Sequence, residues 1–256
     1  MIPKIIHFCW FSDDKYPFLI KQCIKSWKKR CPDYEIKLWN YEMAKSLGIT
    51  YVNEALELKK WAFAADVIRL YALYTYGGVY LDSDIFLKSN IDELLSNNFV
   101  SAIEYHPKLI NLSAIDVDGN RIESFGDVRG IGVQAAFLAS VPKHYFVRGL
   151  LDFYMNRHFI NNDGTLDMTI IAPTHYAKYA ERYGYKYLDI TQKLNDMTFY
   201  ASCYVAGSIT KDNKKAYAIH CCYHSWAKRT IMKKIRAHII KKITLLKLLL
   251  YNVLAG

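Results

Sequence analysis

The segment from Lys60 to Phe86, KWAFAADVIRLYALYTYGGVYLDSDIF, constrains the fold more than any other part of the chain. From Trp61 to about Tyr76 its apolar residues recur with the period of an α-helix, and the two glycines that follow supply a helix stop. VYLD then predicts a short buried strand. The segment therefore predicts a helix that turns directly into a strand, with charged residues placed in an otherwise apolar stretch.

The N-terminal region predicts the same kinds of element. PKIIHFCWF predicts a strand, PFLIKQCIKSWKKRCP has apolar residues at helical spacing, and YEIKLWN alternates as a strand does. Strand, helix and strand at this spacing predict a parallel βαβ unit. With 256 residues, 52% of them hydrophobic, and with no linker composition or internal repeat, the chain predicts one large α/β domain.

The rest of the chain adds further elements. VQAAFLAS predicts another buried strand, and PTHYAKYAERYG predicts a helix. The turn DVDGN precedes this strand, and the turn NNDGT lies between the strand and the helix. KKAYAIHCCYHSW predicts a last strand that runs into a loop containing histidine.

Two carboxylates follow the strand VYL directly. Asp82 and Asp84 are separated by the small Ser83, so they can point to one side of the strand terminus, where ligands bind in open α/β sheets. Oxygen ligands of this kind suit Mg²⁺ or Mn²⁺, whose coordination is completed by phosphate oxygens and water. The same spacing also occurs in surface turns that hold no metal. The apolar strand leading into the pair favours the metal site.

Asp66 and Arg69 lie three residues apart and therefore share one face of the predicted helix. The simplest interpretation is an ion pair within the helix. This helix is apolar nearly all round, however, and charges in such surroundings are costly unless a partner or ligand satisfies them. A sugar, whose hydroxyls both donate and accept hydrogen bonds, would satisfy both side chains.

Four stretches in this order resemble the successive motifs of the family 32 glycosyltransferases, which carry a D-x-D motif: IPKIIHFCWF, SWKKRCPDYEIKLWN, KKWAFAADVIRLYALYTYGGVYLDSDI and YAIHCCYHSW. The large clostridial glucosylating toxins share this catalytic core pattern. The resemblance is strongest over residues 1–90 and 215–226. It implies a catalytic domain over residues 1–226, with a Rossmann-like nucleotide-sugar-binding fold of the GT-A type and a mixed central sheet.

The resemblance also implies roles for the charged residues. Asp82 and Asp84 would hold Mn²⁺ or Mg²⁺ against the diphosphate of a nucleotide-sugar donor, linked to UDP or GDP. Asp66 and Arg69 would grip the hydroxyls of the ribose and the sugar. Asp66, Arg69 and Asp84 are the residues expected to act in catalysis.

Further donor contacts are implied on the same basis. Trp10 would stack on the nucleotide base, and Tyr80 would line the donor pocket. Ser225 and Trp226 would belong to a loop that closes over the diphosphate.

The histidines near the C-terminal motif depart from the family pattern. The family usually has two adjacent histidines before the Ser-Trp, one of them near the metal. Here the sequence is HCCYH, so His220 and His224 are both candidate metal ligands. Cys221 occupies the position where the family usually has the second histidine.

The expected reaction is transfer of a hexose-type sugar with retention of anomeric configuration. Because no second carboxylate is an obvious nucleophile, we expect same-face attack by the acceptor hydroxyl, with the leaving phosphate as its base. The metal would stabilise charge on that phosphate. The implied acceptor is a saccharide, lipid-linked at the inner membrane leaflet, in the synthesis of capsule, O-antigen or another surface polysaccharide.

Two alternatives account for part of the sequence. A phosphatase of the haloacid dehalogenase type also ends a strand in D-x-D, and Asp82 would be its nucleophile. That class places the motif on its first strand, and it leaves Asp66 and Arg69 unexplained. A non-catalytic membrane-binding module explains only the end of the chain.

The net charge of +10 is concentrated in residues 227–256, which carry eight basic and no acidic residues. The body is nearly neutral and has no nucleic-acid-binding motif, so we expect no nucleic-acid partner. On a helix, most basic residues of this tail lie away from an apolar face formed by Ile231, Met232, Ile235, Ile239, Ile243, Leu246, Leu249 and Leu250.

Such a basic amphipathic helix is typical of a segment that lies on a membrane surface. Its last apolar run is too short to span a bilayer. The alternative is a helix docked on the body with a solvated basic face. The N-terminus reads as a strand and not as a signal peptide, and the six cysteines suit reduced thiols. We therefore expect a cytoplasmic protein, peripheral on the inner face of the membrane.

Overall fold

The computed structural model describes residues 1–208, 212–222 and 246–251. Ten strands are, in chain order, β1 (Ile5–Cys9), β2 (Glu35–Trp39), β3 (Gly78–Leu81), β4 (Ile85–Leu87), β5 (Phe99–Tyr105), β6 (Ile131–Ser140), β7 (Gln192–Leu194), β8 (Met197–Tyr200), β9 (Val205–Ala206) and β10 (Ala218–His220). The α-helices are α1 (Phe18–Arg30), α2 (Tyr41–Lys45), α3 (Thr50–Glu57), α4 (Trp61–Tyr76), α5 (Tyr145–Met155) and α6 (Ala172–Ala180). Residues 246–251 are also helical and are called the terminal helix below.

Seven strands form the central sheet, in the order β2-β1-β3-β6-β5-β8-β7. The β1–α1–β2 segment is the predicted parallel βαβ unit. Strand β1 also pairs with β3 in parallel, while β6 lies antiparallel between β3 and β5, and β5 pairs with β8 in parallel. Strands β1, β2, β3, β5 and β8 consequently run in one direction. Their carboxyl ends meet at one side of the sheet, called the carboxyl edge below.

The central sheet is covered on both faces. Along β3, Val79 and Leu81 point into a core that includes α1, β4 and β10, whereas Tyr80 points into a second core formed with α3, α4, α5 and α6. This alternation follows from the period of two in a strand. Because both faces are buried, β3 reads as a continuous apolar run, as the sequence predicted.

Two glycines allow α4 to end directly against β3. Gly77 has φ 65° and its N–H donates to the Leu73 carbonyl at 2.9 Å, so it ends the helix in a backbone region that disfavours side chains. A Cβ on Gly78 would lie 2.6 Å from the Ile5 carbonyl oxygen. The two glycines therefore let β3 approach β1 closely, and they fix the position at which Asp82 and Asp84 follow the strand.

A second, smaller sheet holds the last predicted strand. Its order is β4-β10-β9, with β10 antiparallel to β4 and parallel to β9. The strand predicted in KKAYAIHCCYHSW is thus present as β10, outside the central sheet. No helix of the described segments combines the length and apolar character that a membrane span requires.

Candidate metal and donor site

Strand pairing brings two carboxylates and one imidazole together. Asp82 follows β3, and its N–H donates to the Ala136 carbonyl at 2.9 Å. Asp84 precedes β4, whose first residue, Ile85, pairs with His220 at the end of β10. The Cys221 N–H then donates to the Asp84 carbonyl at 3.0 Å, so the backbone holds the two ligand-bearing segments in register.

The side chains of Asp82, Asp84 and His220 converge, with one potential ligand atom from each lying within 4.8 Å of the others. Nε2 of His220 is 3.4 Å from Oδ1 of Asp84. Two carboxylate oxygens and an imidazole nitrogen fit Mn²⁺, which accepts such mixed oxygen and nitrogen ligands. The three side chains remain 13 to 27% exposed, which leaves room for phosphate oxygens in the coordination sphere.

The electrostatics of this cluster favour a cation. Burial opposes a charged imidazole, yet the neighbouring Asp84 carboxylate and Cys222 hold the pKa of His220 well above its ordinary value in the metal-free protein. The negative charge of the cluster therefore outweighs the cost of desolvation. A bound divalent ion would meet the same field.

Arg69 links helix α4 to the D-x-D pair. One of its terminal nitrogens, Nη2, lies 3.0 Å from Asp66 and 3.4 Å from Asp82. Nη1 donates to the Ala135 carbonyl at 2.8 Å, and Nε reaches the Ala65 carbonyl at 3.3 Å. With 5% of its side chain exposed, Arg69 is committed to protein partners and fixes the carboxylates relative to each other. Its predicted contact with sugar hydroxyls stays a prediction.

Asp66 is the more accessible member of the helical pair, with 15% of its side chain exposed. Burial raises the pKa of Asp66 to about 6; the Arg69 guanidinium opposes this rise and the Asp82 carboxylate adds to it. Carboxylate oxygens accept hydrogen bonds from hydroxyl groups. The predicted contact of Asp66 with sugar hydroxyls stays a prediction.

The two predicted aromatic contacts lie in different surroundings. Trp10 follows β1 at the carboxyl edge, is partly exposed, and packs edge-on against Tyr16 with ring centroids 5.1 Å apart. Tyr80 is 1% exposed, and the Arg69 guanidinium lies 5.0 Å from its ring centroid. Tyr80 thus supports Arg69 from within the core. The stacking role of Trp10 and the pocket-lining role of Tyr80 remain predictions.

Three predicted site residues, His224, Ser225 and Trp226, lie outside the described residues. Of the two candidate histidines, His220 joins the aspartates. Cys221 packs against the core that contains Cys23 of α1. Cys222 places its thiol 3.2 Å from the Gly207 carbonyl.

Helix α1 supports the small sheet through two side chains that the sequence reading did not single out for the site. Trp27 is fully buried and donates from Nε1 to the Ile85 carbonyl at 2.7 Å. The Leu87 N–H donates to the Ser26 hydroxyl at 2.9 Å. Both contacts are made to backbone atoms of β4, so no residue pattern in the sequence predicts them.

A cavity of about 120 Å³ lies at the carboxyl edge. Its walls come from the end of β5, the start of β6 and the segments after β8 and β9, and include Glu104, Gln134, Cys203, Gly207 and Asn213. Gly207 connects it to the segment that follows His220, through the contact with Cys222. Sequence reasoning missed Glu104 and Gln134 because they lie within apolar strand patterns.

A mixed α/β sheet with a D-x-D pair and a histidine at its carboxyl edge defines a domain of the GT-A glycosyltransferase type, and the predicted fold class is confirmed. The solved structure of PaToxG glycosyltransferase superposes with a TM-score of 0.50 and 16% identity, over 71% of this chain and 69% of that one. Residues 17–100 match the family model described as glycosyltransferase sugar-binding region containing DXD motif. The resemblance to the family 32 glycosyltransferases is confirmed.

Two curated relatives extend this finding. The chain is 32% identical to inositol phosphoceramide mannosyltransferase 3 of Schizosaccharomyces pombe over 132 residues, which is 43% of this chain and 36% of the relative. It is 30% identical to mannosyl phosphorylinositol ceramide synthase SUR1 of Saccharomyces cerevisiae over 129 residues, 42% of this chain and 32% of the relative. The matched part thus spans about a third of the length of each relative.

Proposed function

We propose that the protein is a metal-dependent, retaining glycosyltransferase that moves a hexose from a nucleotide sugar to a hydroxyl of a saccharide or lipid-linked acceptor. One observation carries the proposal: the D-x-D pair converges with His220 on one side and is joined to Asp66 through Arg69 on the other. The site thereby pairs a candidate metal centre with a candidate sugar-binding carboxylate. Because one relative is named a mannosyltransferase and the other a mannosyl phosphorylinositol ceramide synthase, mannose is the first sugar to test.

Each residue has a defined task in this reaction. Asp82, Asp84 and His220 would hold Mn²⁺ or Mg²⁺, which supplies positive charge to the departing diphosphate. Asp66 would accept a hydrogen bond from a sugar hydroxyl, and Arg69 keeps Asp66 and Asp82 at a fixed separation. During transfer the bond from the anomeric carbon to the phosphate oxygen breaks, the acceptor oxygen bonds to that carbon, and its proton passes to the leaving phosphate.

The terminal helix and the preceding basic sequence favour a membrane-associated acceptor. Leu246, Leu249 and Leu250 are 64, 40 and 52% exposed. They belong to the apolar face predicted from the sequence, and the basic residues around them complement anionic lipid. The names of the relatives, which refer to inositol phosphoceramide, also point to an acceptor anchored in a bilayer. We propose that the protein attaches to a membrane surface, with the inner face as the side that the sequence predicts.

The first experiment is a donor screen with purified protein, Mn²⁺ and a panel of GDP- and UDP-linked sugars. Release of nucleoside diphosphate and thermal stabilisation are read together. We expect one donor, with GDP-mannose tested first, to be hydrolysed and to stabilise the fold only with metal. Cleavage of a phosphomonoester without binding of any nucleotide sugar would instead support the phosphatase alternative.

The matched variants for this screen are Asp82→Asn and Asp118→Asn. Asp118 is an exposed carboxylate in the chain's other D-x-D sequence, so its variant has the same change in charge away from the site. Asp82→Asn should abolish both effects and Asp118→Asn should retain them. Equal loss in the two variants would refute the assignment of Asp82.

Membrane attachment is tested by co-sedimentation with vesicles that contain anionic lipid. Replacement of Leu246, Leu249 and Leu250 by Ser should release the protein, and higher salt should weaken binding of the wild type. Unchanged binding by the triple variant would refute the role of these leucines.

A further inference from the structure

The terminal helix packs against the small sheet that carries two of the candidate metal ligands. Leu248 is fully buried in the core that also contains Phe86 of β4 and Ile219 of β10. The ring of Tyr251 lies 6.2 Å from that of Phe86, centroid to centroid. One side of the terminal helix is therefore part of the folded body, while its exposed leucines face away.

Three polar residues fasten this contact; they are called the latch below and are Lys88, Asp212 and Tyr251. The Lys88 ammonium donates to Oδ1 of Asp212 at 2.7 Å and lies 5.2 Å from the centroid of the Tyr251 ring. The Tyr251 hydroxyl donates to the other oxygen, Oδ2 of Asp212. Both carboxylate oxygens of Asp212 are thus engaged, each by a different segment of the chain.

The ion pair of the latch is largely shielded from solvent. The side chains of Asp212 and Lys88 are 4% and 13% exposed. Burial acts against the charged carboxylate, but the hydrogen bonds from Lys88 and Tyr251 hold the pKa of Asp212 below its ordinary value. Buried charges with complete partners fix one geometry, and the loss of a single partner is costly.

The latch and the metal cluster lie at opposite ends of the same pair of strands. Strand β4 begins after Asp84 and is followed by Lys88, while β10 is preceded by Asp212 and ends at His220. The Lys88 N–H also donates to the Tyr217 carbonyl at 2.8 Å, next to the latch end of β10. Each strand has only three residues, so a shift at one end is transmitted to the other.

We propose that the latch positions Asp84 and His220 for metal binding, so that the terminal helix is a working part of the metal site. This inference rests on the metal site put forward under the proposed function. Lys88, Asp212 and Tyr251 are positioning residues that act through β4 and β10. Truncation before the terminal helix would accordingly impair metal binding as well as any attachment to a membrane.

The test compares Mn²⁺ affinity in the complete chain, measured from the electron paramagnetic resonance signal of free Mn²⁺. Tyr251→Phe keeps the ring and removes only the hydroxyl donor. We expect it to weaken Mn²⁺ binding by about tenfold, as for other partners that orient metal ligands. Thermal melting without metal shows whether the variant is folded.

A matched pair of leucines on the terminal helix provides the control. Leu248→Ala removes a fully buried side chain, and Leu250→Ala removes one that is 52% exposed. The first should weaken Mn²⁺ binding and the second should leave it within about twofold of the wild type, in line with the small effects of surface substitutions. Wild-type affinity in both Tyr251→Phe and Leu248→Ala, even with a lower melting temperature, would overturn the proposal.

Hydrogen exchange in the wild type tests the same coupling without a variant. If the latch positions the ligands, Mn²⁺ must in turn stabilise the docked terminal helix, because coupling between two sites is reciprocal. Amide exchange in residues 246–251 should slow when Mn²⁺ is added. Unchanged exchange at saturating Mn²⁺ would refute the latch, whereas a wild type that binds no Mn²⁺ would refute the metal site and the latch together.

Discussion

The chain contains two D-x-D sequences, Asp82-Ser83-Asp84 and Asp116-Val117-Asp118, and their surroundings share little beyond the spacing. The first follows a buried strand and meets Arg69 and His220. In the second, Asp116 accepts hydrogen bonds from the N–H groups of Asp118 and Asn120 and from the Asn120 side chain, so it closes its own turn. Val117 is 99% exposed.

The difference shows what a D-x-D needs in order to bind a metal. In the surface turn, local backbone groups satisfy Asp116, and Asp118 points to water. At the carboxyl edge, the partners of Asp82 and Asp84 come from α4 and β10, which are distant in sequence. Distant partners, and not the spacing, create a cluster with open coordination positions.

The largest expected effect concerns Arg69, which pairs with an aspartate of the first D-x-D sequence. Arg69→Met leaves Asp66 and Asp82 without their shared cation, and we expect it to lower the free energy of unfolding by about 4 kcal/mol. Arg121, beside the second sequence, pairs instead with Glu181, which is 26% exposed. Arg121→Met should cost about 1 kcal/mol in urea denaturation. Equal losses in the free energy of unfolding would mean that the ion pairs of Arg69 contribute no more than an ordinary surface ion pair does.

The next effect is on catalysis. Asp84→Asn removes one charged oxygen ligand and should lower nucleoside diphosphate release by about 100-fold, a magnitude typical of lost transition-state electrostatics. Asp118→Asn should retain activity within about twofold, since it is a surface change. The measurement is the initial rate of nucleoside diphosphate release at saturating donor and Mn²⁺. Comparable rates in the two variants would show that the two D-x-D sequences do not differ in function.

A third contrast concerns pH in the metal-free protein. Burial raises the pKa of Asp66 to about 6, so the native state binds its proton more tightly than the unfolded state does. This contribution to stability is present at low pH and is lost as pH rises from about 4 to about 6, with a total near 3 kcal/mol. Asp66→Asn should flatten this part of the stability profile. Near the second sequence, hydrogen bonds from Asn120 lower the pKa of Asp116, so Asp116→Asn should leave the pH 4 to 6 window unchanged.

The smallest effect concerns the histidine ligand. His220→Ala should weaken Mn²⁺ binding by about tenfold, because two carboxylates remain and water can replace the imidazole. His106→Ala, which alters a partly exposed histidine paired with Glu104, is the control. Titration calorimetry with Mn²⁺ measures both, and an unchanged affinity in His220→Ala would remove this residue from the coordination sphere.

Much of the fold follows from local patterns in the sequence. Helix α4, its glycine stop, strand β3 and the β1–α1–β2 unit were predicted because periodicity and turn chemistry act over a few residues. The antiparallel insertion of β6 between β3 and β5 could not be predicted in this way. It depends on which strands meet across the whole domain.

The residues of the site likewise fall into two groups: those that local sequence patterns predict, and those that only contacts between distant segments identify. Asp82 and Asp84 stand out because a strand leads directly into them, and Asp66 and Arg69 because their helix is otherwise apolar. The choice of His220 depends on its pairing opposite Ile85, and the support from Trp27 is a bond to a backbone carbonyl. Neither contact can be predicted from the residues that surround His220 or Trp27 in the sequence.

The position of β10 has a consequence for synthesis on the ribosome. Asp82 and Asp84 leave the exit tunnel early, together with β1 to β4, but His220 and Tyr251 emerge only near the end of the described chain. Until β10 adds to β4, a nascent chain has two carboxylates without their imidazole partner. The growing polypeptide thus cannot assemble the three-ligand cluster until His220 has left the exit tunnel and β10 has paired with β4.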